Sequence, residues 1–201
     1  VWPAFHDAVH RYRIPRQYFH DMIDGVSSDL HPQRIETFAD LYQYCYRVAS
    51  VVGLTIIHIF GFDDPKALEL AEKCGIAFQL TNILRDVQED IGLGRVYLPA
   101  EDLRRFGITP PQLTYSPAFV ELMRFQAARA RAYYNEAMPL IQLVHRESRA
   151  SLWALIQIYS RLLDRIEQKQ FRVLDQRIRL STPEKAWLVL EAGTRKLARA
   201  F

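Results

Sequence analysis

The sequence predicts an all-α fold, a single bundle of helices, and three observations predict it. Leu, Ala, Arg, Gln and Glu recur at helical spacing almost throughout, while period-two alternation is scarce. Capping side chains stand directly before prolines at Asp64-Pro65, Ser116-Pro117 and Thr182-Pro183, a pairing that suits helix starts. No repeat, low-complexity run or flexible linker divides the 201 residues, a length suited to one core.

Taken in order, helices are expected near 3–12, 16–30, 37–60, 65–91, 117–145, 148–170 and 183–200. Ile14-Pro15 separates the first two, and His31-Pro32 closes the second. Thr37 with Asp40 opens the third as a capping box. Its later part, Val48 to Phe62, is the most apolar stretch of the chain, interrupted by Ser50, Thr55 and His58. That stretch falls short of the ~20 residues that span a bilayer, so a buried helix is expected there. Gly61 ends it. The fourth helix starts after Asp64-Pro65 and stops in the break across Gly92 to Pro99, where Arg95 to Pro99 reads as extended. A second break, Gly107 to Pro111, precedes the helix opened by Ser116, and a third follows Phe171.

Composition excludes several classes. With 49% hydrophobic and 12% aromatic residues the chain has enough apolar material to fold, which argues against disorder. The net charge of +3, from 26 basic and 23 acidic residues with no long basic stripe, argues against nucleic acid as a partner. Cys45 and Cys74 alone build neither a disulfide framework nor a four-sulfur zinc site. A reducing, cytoplasmic setting is the expectation, and Val1-Trp2-Pro3-Ala4 carries no signal-peptide pattern.

Chemistry concentrates in Gln79 to Asp90. At 100° per residue, Gln79, Asn82, Asp86 and Asp90 share one stripe, while Leu80, Ile83, Leu84, Val87 and Ile91 fill another face. Asp86 and Asp90 sit one turn apart with no lysine in their stripe. Like charges at that spacing repel. A hard divalent cation would relieve them, since Mg²⁺ takes carboxylates, water and phosphate oxygens. On that reasoning Asp86→Asn should leave the helix intact and slightly more stable. Arg85 lies on the flank, within reach of a phosphate. Spacing alone also fits a plain solvated helix face.

The string Gln79 to Asp90, followed by Gly94-Arg95-Val96-Tyr97-Leu98-Pro99, resembles the second aspartate-rich motif of the squalene/phytoene synthase family. Tyr44-Cys45-Tyr46-Arg47-Val48-Ala49-Ser50-Val51-Val52-Gly53 is similar to that family's other signature, and the two blocks stand in the family's order. The resemblance implies an isoprenoid (terpenoid) synthase bundle around a central cavity. It also implies Mg²⁺-dependent head-to-head condensation of two prenyl diphosphates. Farnesyl diphosphate to presqualene diphosphate and squalene is favoured by Val48-Ala49-Ser50, with geranylgeranyl diphosphate to phytoene close behind. NADPH is implied only where squalene is the product. Very apolar products imply peripheral contact with a membrane surface.

Carried over residue by residue, the resemblance makes Asp86, Asp90 and Asn82 metal ligands, and Gln79 and Arg85 substrate contacts. It sets Tyr44 near the reacting centre and Val48 and Gly53 along the prenyl cavity. Tyr159, Arg177 and Lys185 then contact diphosphate. Tyr44 and Tyr159 fit core aromatics equally, and Arg177, Arg179 and Lys185 also fit a solvated basic edge. His6 and His10 are four apart but lack the metalloprotease glutamate, and both are expected to be exposed. Cys45 is expected to pack inside its helix.

The family's first aspartate-rich motif has no counterpart in the chain. Asp21, Asp24 and Asp29 are the nearest acidic cluster, and Asp21 and Asp24 read as a polar helix face. The expectation is therefore an N-terminally incomplete synthase domain, 1–201, with limited activity by itself. The alternative is a non-catalytic helical assembly or binding protein of the same fold.

Overall fold

The computed structural model describes residues 1–30, 34–109 and 113–198. Its organising element is α5 (Lys66–Gly92), the longest helix. Leu70, Cys74, Ile76, Ala77, Leu80, Ile83, Leu84 and Val87 are buried around nearly its whole circumference. A helix apolar on all sides belongs at the centre of a bundle, and the two other helices longer than 20 residues both pack on it. Buried Thr81 is satisfied within the bundle, bonding the Ala77 carbonyl of α5 and the Tyr134 hydroxyl, each at 2.9 Å.

Before α5 in the chain come α1 (Trp2–Arg11), α2 (Arg16–Ser28), α3 (Phe38–Cys45) and α4 (Val51–Phe60), of which α3 and α4 pack directly on it. α6 (Ala100–Arg105), α7 (Pro117–Ala137), α8 (Leu140–Leu143), α9 (Arg146–Gln168) and α10 (Thr182–Leu197) complete the bundle. Among the described residues there is no β-strand, only an isolated bridge between Phe62 and Val144. No described helix is long and apolar enough to cross a membrane.

The helix expected over 37–60 is continuous in space but not uniform. Its start is the Thr37–Asp40 capping box, with Asp40 Oδ2 accepting from the Thr37 amide at 2.9 Å. Tyr46–Ser50 then forms a π turn between α3 and α4. The cause lies on neighbouring helices. A Cβ on Gly75 would stand 2.5 Å from Ser50 Cα, and one on Gly25 would stand 2.7 Å from Arg47 Cβ. Two bare backbones thus let α5 and α2 close on the turn, and Ser50 Oγ donates to the Glu72 carbonyl at 2.8 Å. The expectation of a buried helix holds for Val51, Leu54 and Ile57, but Val52 and Ile59 are exposed.

Other differences have local causes. The expected helix 117–145 stops at Ala137 and resumes as α8, because Pro139 has no amide proton and its ring clashes with the preceding turn. The short helix α6 occupies the stretch between the breaks at Gly92 to Pro99 and Gly107 to Pro111, where the sequence predicts no helix. The last helix is capped by Ser181, not Thr182: Ser181 accepts from the Glu184 amide, and Glu184 Oε2 accepts in return at 2.8 Å. Cys45 and Cys74 are free and buried, and His6 and His10 are exposed, as expected. The breaks placed at His31-Pro32 and Pro110-Pro111, and the last residues of the final helix, lie outside the described residues.

Candidate functional site

The stripe on α5 is intact. Asn82 Nδ2 donates to Gln79 Oε1 at 3.3 Å, which leaves Asn82 Oδ1 buried with no hydrogen-bond partner. A buried carbonyl oxygen without a donor is expensive unless something electropositive faces it. Asp90, two turns on, is half-buried. Burial first, and then the charge of Asp86, push its carboxyl up to about 6, against the pull of Arg95.

Asp86 is not left to repulsion. Arg85 Nε reaches its Oδ1 at 2.8 Å, and Arg177 Nε reaches the same oxygen at 2.9 Å. Arg177 also spans to Glu89 at 3.0 Å. Sequence spacing showed no lysine in the stripe; the relief comes from a flanking arginine and from one 91 positions away. Arg177 gets there because the chain leaving α9 turns sharply. Gln170 and Phe171 adopt left-handed conformations (φ 52° and 57°), held by burial of Phe171 and Val173 against the core.

Two cavities meet near this cluster. The first is apolar, about 250 Å³, lined by Val48 and Gly53 from the π turn and α4, by Cys74 and Phe78 from α5, and by Leu152 and Tyr159 from α9. The second is basic, about 460 Å³, lined by Arg85, Arg177, Arg179 and Lys185 together with Tyr159. Tyr159 borders both, its ring stacked on Phe78 at 4.3 Å with 16° between planes. Arg179 and Lys185 have no carboxylate partner among the described residues, so this pocket keeps positive charge in hand for an anion.

Tyr44 stands apart from both cavities. Its ring stacks on Tyr97 at 4.7 Å, and its hydroxyl donates to Asp29 at 3.3 Å. Both tyrosines line a polar pocket of about 290 Å³ with Asp29, Arg47 and Arg95. Thus Val48, Gly53 and Tyr159 share one cavity, and Arg85, Tyr159, Arg177 and Lys185 share another. Gln79, Asn82, Asp86 and Asp90 share the α5 stripe, and Tyr44 lies beyond it. Phe78, Arg95, Tyr97 and Asp29 received no role from the sequence. Arg95 and Tyr97 belong to the strip Gly94-Arg95-Val96-Tyr97-Leu98-Pro99 that follows the aspartate pair, and that placement is their signal in the sequence.

The donor set suits a hard cation. Asp86, Asp90 and the orphan Oδ1 of Asn82 are all oxygens on one stripe, the chemistry that Mg²⁺ prefers. Among the described residues no three His, Cys, Asp or Glu side chains converge as a complete ligand set. A metal held here would therefore draw its remaining ligands from water and phosphate.

A helical bundle whose apolar cavity and basic pocket share Tyr159 as a wall, beside an aspartate pair, suits an apolar chain with an anionic head. The chain belongs to the squalene/phytoene synthase family, whose model matches residues 1–184. It is 37% identical to the 15-cis-phytoene synthase of Synechocystis sp., over 92% of this chain and 61% of that protein. It is 39% identical to phytoene synthase 1, chloroplastic, of Arabidopsis thaliana, over 87% of this chain and 43% of that one. Among solved structures it resembles a dehydrosqualene synthase in complex with ligand, with TM-score 0.83 and 30% identity, covering 94% of this chain and 67% of that one. A squalene synthase from Alicyclobacillus acidocaldarius gives TM-score 0.77 at 25% identity, over 81% and 63%. The chain spans about six-tenths of the length of the Synechocystis relative.

Proposed function

We propose that the protein takes part in head-to-head condensation of two prenyl diphosphates, with Mg²⁺ as cofactor. The observation that carries the reading is the junction at Tyr159, where an apolar cavity and a basic pocket share a wall. The prenyl tail would lie along Val48, Gly53 and Leu152, and the diphosphate against Arg85, Arg177, Arg179 and Lys185. Asp86, Asp90 and Asn82 would hold the metal. When bound, Mg²⁺ supplies positive charge that favours departure of the diphosphate.

The protein's own groups do the rest. The cationic side chains stabilise charge building on the leaving diphosphate, and the apolar walls keep water from an allylic cation. The phytoene synthases among its relatives favour geranylgeranyl diphosphate and a phytoene-type product over the farnesyl preference drawn from Val48-Ala49-Ser50. On that reading NADPH has no part. Peripheral membrane contact belongs to the same proposal, since the product is too apolar to leave through water.

The test is incubation with geranylgeranyl and farnesyl diphosphates in turn, each with and without Mg²⁺. Metal-dependent formation of a C40 polyene from the first is the expected result. A folded protein that consumes neither sinks the proposal. In calorimetry, Asp86→Asn should weaken Mg²⁺-dependent binding of inorganic diphosphate by roughly tenfold or more, the scale of a lost metal ligand. Unchanged binding counts against the assignment of Asp86.

A further inference from the structure

Outside the α5 stripe, Asp29, at the C-terminal end of α2, gathers side chains from two other segments. Its Oδ2 accepts from the Tyr44 hydroxyl at 3.3 Å, and its Oδ1 accepts from the Tyr97 hydroxyl at 2.8 Å. Arg95 holds the same residue, donating to the Asp29 backbone carbonyl at 2.9 Å and approaching Oδ2 at 4.0 Å. The Arg95 amide in turn bonds the Asp90 carbonyl at 2.8 Å. One carboxylate therefore ties α2, α3 and the strip that follows the second aspartate pair.

A phenol has one proton to give. At Tyr44 that proton goes to a carboxylate, a charge-assisted arrangement stronger than a neutral one. Burial, then the neighbouring Tyr97 and Asp29, hold the Tyr44 hydroxyl well above its ordinary pKa, so the proton stays. One ring face is covered by Tyr97. Tyr44 is fixed in two ways, in its own polar pocket one helical turn before Val48, which lines the apolar cavity.

We infer that Asp29 is a positioning residue for Tyr44, locking the ring and committing its only proton so that the phenol oxygen is left as an acceptor. Such an oxygen favours positive charge in an ionised prenyl chain and gives nothing to a diphosphate. The inference rests on the prenyltransferase reading of Tyr44.

A double-mutant cycle on the full protein separates the possibilities, using Asp29→Asn, Tyr44→Phe and the pair. Three quantities are read: kcat, the affinity for inorganic diphosphate with Mg²⁺, and the thermal midpoint. Each single variant should lower kcat roughly 10- to 100-fold, the scale of one charge-assisted hydrogen bond. Affinity for Mg²⁺-diphosphate should stay within about twofold, and the double variant should be no worse than the poorer single one. Multiplying losses, or a matching loss of diphosphate affinity, overturn the inference.

Should Asp29→Asn fail to fold, Tyr97→Phe decides. It keeps the stacked ring and frees the carboxylate for Tyr44, so its kcat should stay within about threefold of wild type while Tyr44→Phe falls. Equal losses in these two phenol variants would mark a purely structural cluster and overturn the inference. A wild-type protein that neither turns over prenyl diphosphates nor binds Mg²⁺-diphosphate overturns the functional reading and this inference together. An active wild type with a multiplicative cycle overturns this inference alone.

Discussion

Asp90 shows how one side chain links stability to function. Its carboxyl is raised to about 6 from 3.8, chiefly by burial and next by the charge of Asp86. An acid whose native pKa is raised holds its proton more tightly folded than unfolded. The stability this gives is complete below about 3.8 and disappears as pH rises through about 6. At neutral pH, Asp90→Asn should therefore be more stable than wild type by about 1 kcal/mol, after screening by the solvent that reaches this position. Near pH 3.5 the two should unfold together. Urea titrations at both pH values check it, and a gap that does not change with pH refutes it. Added Mg²⁺ should stabilise the wild type more than the variant. Spacing had assigned such relief to Asp86→Asn, but Asp86 is already paired with Arg85 and Arg177. Repulsion is legible from a helical interval; the partner that cancels it arrives from another part of the chain.

At the scale of elements, the π turn Tyr46–Ser50 is what a sequence reading misses. Nothing within Tyr46-Arg47-Val48-Ala49-Ser50 departs from helical chemistry, and the residues that shape the turn are glycines on two other helices. Gly75→Ala would drive a methyl group against Ser50 Cα and N, at 2.5 and 2.8 Å, where backbone and not a flexible side chain must yield. A loss of about 1–3 kcal/mol is expected, with Val48 displaced from the cavity wall. Gly193 in α10 has nothing within 4 Å of an added Cβ, so Gly193→Ala should instead stabilise by about 0.5–1 kcal/mol. Thermal denaturation of the two variants, made by the same chemical change in two helices, tests the argument. A stable Gly75→Ala protein would show that the contact at Ser50 does not shape the turn. Helix starts were more legible, because a cap and its partner are three residues apart. Thr37 with Asp40 and Ser116 with Phe119 form as read, while at the last helix the proline drew attention to Thr182, one residue past the true cap.

For the whole molecule, the apolar cavity joins the helices into one instrument of measurement. The α5 stripe could be read in advance because one helix supplies it. The cavity could not, because its wall comes from the π turn, α4, α5, α8 and α9. Its orientation follows from how α4 and α9 run against each other. Tyr159 shares its end with the basic pocket, while Phe60, Leu140 and Leu152 lie at the opposite end, where Ser148 Oγ bonds the Phe60 carbonyl at 3.0 Å. Along the π turn and α4 the lining runs from Val48 to Phe60, about 18 Å at roughly 1.5 Å per residue. On the proposed reading, a tail anchored by its diphosphate near Tyr159 would be gauged by the bulk at Leu152 and Phe60. Leu152→Phe, adding volume at a buried position, should lower kcat/KM for a C20 diphosphate roughly tenfold more than for a C15 one, since a few methylenes of mismatch are worth about 1–3 kcal/mol. Competition between the two substrates in one vessel reads that ratio directly and cancels any general loss from overpacking. An unchanged ratio would place the measuring wall elsewhere, even in a protein that remains active.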